Sequence, residues 1–295
     1  MAILKRAHDE TVFQMCDETL VGRSRAADLR LDEPFVSGLH ASLHYGDAGW
    51  EIRDLGSRNG TRVNGKMLER GSSATLVTND QICFGNARQT WTVQSDAPPV
   101  PLAVSGSGLL VVGRDSMLPI PSAEDPEVTI VLDPHHGWML EPGGSDDSRV
   151  VEDRETLEVG GQSWTLRVPV ATAVTRGMPR WEVSKATVSL RPPANGEVAV
   201  IRVDQGAAAS TYEVGSAGVL AKVLIEARQQ DAEGWVEREQ VLGELGITAN
   251  HLNVLVFRLR KLFGDMGFAN APSTVQRQRG RMRIGCPNVR LEESA

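Results

Sequence analysis

The sequence predicts a multidomain protein: an all-β sandwich, a second and smaller β-sandwich, and a C-terminal α+β domain. Three observations carry that expectation. Up to Val93, short stretches alternating apolar and polar residues are separated by glycines. A weaker copy of the same pattern follows. Past Ser216 the apolar period changes from two, the period of a strand, to about 3.6, the period of a helix.

Residues 1–97 form the first predicted domain. Ala41-Ser42-Leu43-His44-Tyr45, Trp50-Glu51-Ile52-Arg53, Gln81-Ile82-Cys83-Phe84 and Trp91-Thr92-Val93 read as half-buried strands, with Gly46, Gly49, Gly56, Gly60, Gly65 and Gly71 between them. Three polar stations sit at the ends of these strands: Gly22-Arg23-Ser24, Ser37-Gly38-Leu39-His40 and Asn59-Gly60-Thr61. Arg23 offers a planar fork of N–H donors with a permanent charge, which suits a phosphate. Gly22 lets the backbone turn tightly beside it. Ser37 can donate a hydroxyl proton, and the Asn59 amide both donates and accepts, as reading an extended peptide requires.

At these residues the chain resembles a forkhead-associated (FHA) domain, the phosphothreonine-peptide reader. The resemblance runs from Gly22-Arg23 through Ser37-x-x-His40, Asp54-Leu55-Gly56-Ser57-Arg58-Asn59-Gly60-Thr61 and Val63-Asn64-Gly65 to the closing strands. It implies that Arg23 and Ser37 bind phosphate, that Asn59 holds the peptide backbone, and that Gly22 and His40 support the loops. Gly38 stands where the family often has Arg or Asn, and Arg58 where it often has Thr or Ser, so both are expected to shape the peptide site.

A turn-rich linker, Asp96-Ala97-Pro98-Pro99-Val100-Pro101, ends this domain. The middle segment, 98–178, reads as a degenerate copy: Gly113-Arg114 echoes Gly22-Arg23, Gly137-Trp138-Met139-Leu140 echoes Gly49-Trp50-Glu51-Ile52, and Leu157-Glu158-Val159-Gly160 with Trp164 echoes Ile82-Cys83-Phe84-Gly85 with Trp91. It carries no Ser-x-x-His or Asn-Gly-Thr station, so no phosphate site is expected there. A boundary is expected at Gly177-Met178-Pro179.

The third domain is expected over 181–290. Thr187-Val188-Ser189-Leu190 and Val198 to Val203 alternate as strands about a Pro192-Pro193-Ala194-Asn195-Gly196 turn. A helix follows, N-capped by Ser216 and burying Val219, Leu220, Val223, Leu224 and Ala227. After Trp235-Val236 come a second helix, Arg238 to Leu245, and a third from about Ala249 to Phe263, with Leu252, Leu255, Val256, Leu259 and Phe263 inward. Residues 273–284 read as a hairpin. This order, with Asn253-Val254-Leu255-Val256-Phe257-Arg258-Leu259-Arg260-Lys261, resembles an OmpR/PhoB-type winged helix-turn-helix. The resemblance implies DNA contacts by Asn250, Asn253, Arg258, Arg260 and Lys261 of the third helix and by Arg277, Arg279, Arg281 and Arg283 of the wing. On a helical wheel Val254 and Phe257 point opposite the core, toward bases or toward a protein partner.

The chain has 295 residues and a net charge of −7, distributed as −2 over 1–97, −6 over 98–180 and +1 over 181–295. The least acidic third is therefore the one expected to meet phosphates. No stretch approaches the about 18 apolar residues of a membrane span, and Lys5, Arg6, Asp9 and Glu10 stand where a signal peptide needs its apolar run. A cytoplasmic location follows. Cys16, Cys83 and Cys286 lack metal-ligand spacing, and His135-His136 reads as a solvent-facing turn. No nucleophile elbow, Walker loop or kinase constellation is present. The expected protein is not an enzyme and needs no cofactor. Its expected partners are a phosphothreonine protein, such as a Ser/Thr kinase or its substrate, and double-stranded DNA, with homodimer formation compatible and no membrane. The alternative is an adaptor whose winged helix binds protein.

Overall fold

The computed structural model describes residues 1–69, 71–133, 135–143, 147–169, 181–192, 199–268 and 270–292. The boundary expected at Gly177-Met178-Pro179, and the turn expected over residues 192–196 beyond Pro192, lie outside them. The chain groups into two compact units.

The first unit comprises Met1–Val100 and the described part of Arg167–Thr175. Its strands are β1 (Ile3–Arg6), β2 (Val12–Gln14), β3 (Glu18–Gly22), β4 (Leu29–Arg30), β5 (Ala41–Gly46), β6 (Gly49–Asp54), β7 (Thr61–Val63), β8 (Lys66–Met67), β9 (Ser73–Leu76), β10 (Gln81–Phe84) and β11 (Thr90–Ser95). They form two sheets, ordered β2-β1-β11-β10-β7-β8 and β4-β3-β5-β6-β9. In β5, Ala41, Leu43 and Tyr45 are buried while His44 is exposed, the alternation of a strand with one wet face. The core holds Leu4, Leu43, Trp50, Ile52, Ile82, Phe84 and Trp91.

The second unit comprises Pro101–Leu166 and the described part of Arg176–Ala295. Its first half contains β12 (Leu102–Ser105), β13 (Leu110–Val112), β14 (Met117–Ile120), β15 (Val128–Asp133), β16 (Gly137–Pro142), β17 (Arg149–Val150), β18 (Thr156–Val159) and β19 (Gln162–Arg167). The sheets run β13-β12-β19-β18 and β14-β15-β16-β17. These orders repeat β2-β1-β11-β10 and β3-β5-β6-β9 of the first unit, with no strand equivalent to β4, β7 or β8 among the described residues. Register agrees too: Trp138 opposes Leu132 as Trp50 opposes Tyr45, and Trp164 opposes Leu157 as Trp91 opposes Ile82. In strand order β14 occupies the place of β3, but Gly113-Arg114 lies before β14, whereas Gly22-Arg23 lies at the end of β3; the chain leaves β14 through Pro121-Ser122.

The second half contains β20 (Thr187–Arg191), β21 (Ala199–Gln205), β22 (Ala208–Val214), α1 (Gly218–Gln230), β23 (Val236–Glu237), α2 (Arg238–Leu245), α3 (Ala249–Met266), β24 (Val275–Gln278), β25 (Arg281–Ile284) and β26 (Asn288–Leu291). β26 adds in parallel to β20, a pairing the sequence did not suggest. The hairpin β24–β25 turns at Arg279 and Gly280, both at positive φ, and β23 joins it. Helix α2 ends at Gly246 in the left-handed region, and α3 runs three residues beyond Phe263 to a Gly267 cap. Ser216 does not cap α1. The cap position is Ala217, and the Ser216 hydroxyl accepts from Arg258 at 3.1 Å. The core gathers Trp181, Leu220, Leu224, Leu255, Leu259, Phe263 and Ile284.

Candidate functional site

In the first unit, backbone geometry brings the three polar stations together. The Arg23 N–H donates to Ser37 O at 2.9 Å and the Ser24 N–H to Gly38 O at 2.9 Å, zipping the chain leaving β3 to the loop before β5. This approach requires Gly22: a Cβ there would sit 2.2 Å from Gly38 O. The third station closes on the second through Ser37, whose Oγ accepts from the Arg58 N–H at 3.0 Å, and through Asn59, whose side-chain amide donates to Phe35 O at 2.8 Å.

His40 is the bolt between the loops. Fully buried, it accepts the Ser37 N–H at Nδ1 (3.1 Å), so Nε2 carries the proton toward Gly60 O at 3.2 Å. The ring is therefore neutral. Burial pushes its pKa down, against the smaller opposing pull of the Gly60 carbonyl and Asp54.

Asp54, at the end of β6, shapes the loop that presents Asn59, a role sequence reasoning missed. Its buried carboxylate accepts from Gly56 N–H (2.8 Å), Ser57 N–H (2.9 Å), Ser57 Oγ (2.7 Å) and Thr61 Oγ1 (2.7 Å). Burial raises its pKa, but the Ser57 and Thr61 hydroxyls with the Ser57 and Gly56 N–H groups outweigh it and hold the carboxyl below the usual range. The signal was available: an Asp followed at two and three residues by Gly and Ser is an Asx-turn pattern.

What remains outside this scaffold is a polar surface. Arg23 is exposed; only its Nε leans on a carbonyl, Val36 O at 3.4 Å, so its terminal guanidinium nitrogens have no partner among the described residues. The Ser37 hydroxyl, having accepted from Arg58, keeps its proton to donate. Asn59 and Arg58 are exposed, as is Gly38, and Leu39 and Leu55 lie exposed beside them. One fixed positive fork, one hydroxyl donor and one amide can bind a phosphorylated extended peptide.

Residues 19–85 match the family model of the FHA domain, and the N-terminal region is an FHA domain. The chain is 33% identical over 90 residues to an oxoglutarate dehydrogenase inhibitor of Corynebacterium efficiens, covering 30% of this chain and 61% of that protein. The match thus spans less than two thirds of this relative. Among solved structures, Mycobacterium tuberculosis EmbR in complex with a low-affinity phosphopeptide is 28% identical over 32% of this chain and 24% of that one, with a TM-score of 0.30. The FHA domain of CT664 from Chlamydia trachomatis is 28% identical, covering 32% of this chain and 98% of that one, at a TM-score of 0.29.

In the second unit the residues expected to meet DNA divide into three sets. Asn250, Arg258, Lys261 and Arg279 are exposed, Lys261 pairing with Asp265 at 2.9 Å. Arg281 and Arg283 are half-buried on the hairpin, their guanidinium carbons 5.5 and 4.3 Å from the Trp235 ring centroid, and Arg283 also donates to Gln276 and to Glu233 O. Asn253, Arg260 and Arg277 are corrected: they do not face solvent. The Asn253 amide donates to Pro126 O at 2.6 Å. Arg260 forms a fork on Glu141, at 2.6 and 3.1 Å, and also donates to Val275 O; Arg277 lies 3.7 Å from the same carboxylate. Val254 and Phe257 point away from the core, as the wheel predicts, but are buried, Phe257 against Met117, Val131 and Ala271. The physical reason is that β14, β15 and β16 have two dry faces, one in their own sandwich and one under α3.

Glu141 was not singled out in the sequence. Burial pushes its pKa up, yet Arg260 and Arg277 overcome this and hold it low. The signal was the run Val128-Thr129-Ile130-Val131-Leu132, continuous where β5 alternates, which is how a strand covered on both faces reads. His136 contacts Asp133 at an exposed turn, and no group of metal-binding side chains occurs among the described residues. Nor is any described helix long and apolar enough to cross a membrane.

Proposed function

We propose that this chain is a phosphothreonine-peptide-binding signalling protein with a C-terminal DNA-binding winged helix, a transcriptional regulator linked to Ser/Thr kinase signalling rather than an enzyme. The observation that carries the reading is the Arg23, Ser37 and Asn59 surface, bolted together behind by His40 and open in front. Phosphate acts here as a docking charge, and the partner is a phosphothreonine-containing protein. Three helices followed by the β24–β25 hairpin, with Arg279, Arg281 and Arg283 on the latter, support the winged-helix reading of the C-terminal half. The repeated strand order supports the middle segment as an FHA-like copy without the phosphate stations.

The test is fluorescence polarisation with a phosphothreonine peptide and its unphosphorylated twin, selected from a degenerate library on the wild-type chain. Arg23→Ala and Ser37→Ala each remove the preference for phosphate if the reading holds; preference retained in both variants would falsify it. A second reading has one observation in its favour: Val254 and Phe257 already rest on protein, as an adaptor's contact face would. Mobility shifts on promoter fragments at moderate salt separate the two, since an adaptor gives none.

A further inference from the structure

We infer that the outer face of the β14–β15–β16 sheet is a docking seat for α3, and that α3 reaches DNA only when it leaves that seat. The inference rests on the DNA-binding reading of the C-terminal half.

The seat is visible as a difference between two copies of one sheet. On the outer face of the first copy, Glu18 opposes His44 and His44 opposes Glu51; at the registered positions of the second, Met117 opposes Val131 and Val131 opposes Met139. Three titratable residues have become three apolar ones. Glu18 and His44 are exposed, whereas Met117 and Val131 are 2% and 3% exposed, with Phe257 of α3 packed on them. A sandwich needs no such change for its own stability, because the first copy keeps its outer face polar. The change serves what lies on top.

The rim of the seat is polar and specific. Glu141, registered with Arg53 of the first copy, receives the fork of Arg260, and the Asn253 amide reaches Pro126 O. These side chains and Phe257 share the side of α3 that a helix-turn-helix protein turns to base edges. A residue buried under a sheet cannot also enter a major groove, so the two uses exclude each other. The apparent affinity for DNA is then the intrinsic one scaled by the undocked fraction. Arg279 and Arg281 on the hairpin stand outside the seat, which leaves the docked form a weak, salt-sensitive attraction for phosphates.

The experiment restores the first copy's face in the full chain with Met117→Glu, Val131→His and Met139→Glu, leaving α3 untouched. Binding is read by mobility shift on a random-sequence duplex pool of about 40 base pairs at about 50 and 200 mM salt. Undocking is read separately by hydrogen exchange of the α3 amides. The triple variant is expected to bind about tenfold or more tighter than wild type. A cross-link supplies the reverse. A Cβ on Gly264 would lie 2.9 Å from the Asp115 Cβ, so Asp115→Cys with Gly264→Cys, in a Cys83→Ser background, forms a disulfide after a small shift. Added to the triple variant and oxidised, it removes the gain; reduction restores it.

If the triple variant does not fold, Glu141→Gln with and without the cross-link is read the same way. Equal binding by wild type and by a variant whose α3 amides have opened overturns the seat while leaving the DNA reading intact. Protection of the α3 amides unchanged between wild type and the triple variant also overturns it, since the apolar positions then do not hold the helix. No shift by any form, with α3 open, means that the DNA reading has failed and the inference with it.

Discussion

Replacing His40 by Ala removes a side chain that is fully buried behind Ser37 and Asn59, yet it should disable the site. The ring receives one hydrogen bond, from the Ser37 N–H, and makes one, to Gly60 O, and its edge packs on Phe84 at 5.8 Å between centroids. Gly60 O keeps a second donor, the Gly85 N–H at 3.0 Å, so its loss is one ordinary bond, about 1 kcal/mol. The part-buried Ser37 N–H loses its acceptor, and a donor left without a partner away from water costs about 1–3 kcal/mol. The sum is about 2–4 kcal/mol of stability, before any cost of the void. Because the lost bonds join the loops that carry Ser37 and Asn59, part of it should surface as peptide affinity, at about tenfold for each 1.4 kcal/mol. Urea denaturation followed by Trp fluorescence gives the first quantity, and phosphopeptide polarisation the second. The reasoning is refuted if His40→Ala unfolds within about 0.5 kcal/mol of wild type and binds the peptide within about twofold.

Three further outcomes are expected. Gly22→Ala places a methyl 2.2 Å from Gly38 O, and since backbone must yield, a loss of about 1–3 kcal/mol with weakened phosphopeptide binding should appear in the same two assays. The depressed Asp54 carboxyl makes the unfolded chain the better proton binder, so its contribution is complete above about pH 4 and is lost as pH falls below that; Asp54→Asn should flatten this acid limb in denaturant titrations. Burial pushes the Cys286 thiol up to about 12, so at about pH 8 a thiol reagent should label half-buried Cys83 first and reach Cys16 and Cys286 only in denaturant.

Much of the first unit was legible because its chemistry is local. Strands β5, β6, β10 and β11 announce themselves by alternation, and the first and third polar stations contain glycines, Gly22 and Gly60, that a close approach or a positive φ requires. Asn59 and His40 could be named before their partners were known. The partners could not, since Phe35 O and Gly60 O are backbone atoms brought near by folding. In the second unit the wheel of α3 separated two faces correctly but could not say what covers the outer one. An arginine on that face reads the same whether it awaits a phosphate or grips Glu141. Only β15, where Ile130, Val131 and Leu132 follow one another with no polar residue between, hinted that a second surface was spoken for. The parallel addition of β26 to β20 left no local trace at all.

A sheet with two dry faces also dictates where this protein can be divided. The proline-rich stretch at residues 98–101 coincides with the border between compact units, but a cut there would also take Arg167 from the first unit, where it donates to Asp28 and to Glu18 O, each at 2.9 Å. The equally inviting stretch near residue 178 is different. A fragment ending there would present Met117, Val131 and Met139 bare to water, with Glu141 stripped of its arginines, while the complementary fragment would carry Phe257 unshielded. Each half should be prone to aggregate when made alone, and the two halves should melt together when made as one chain.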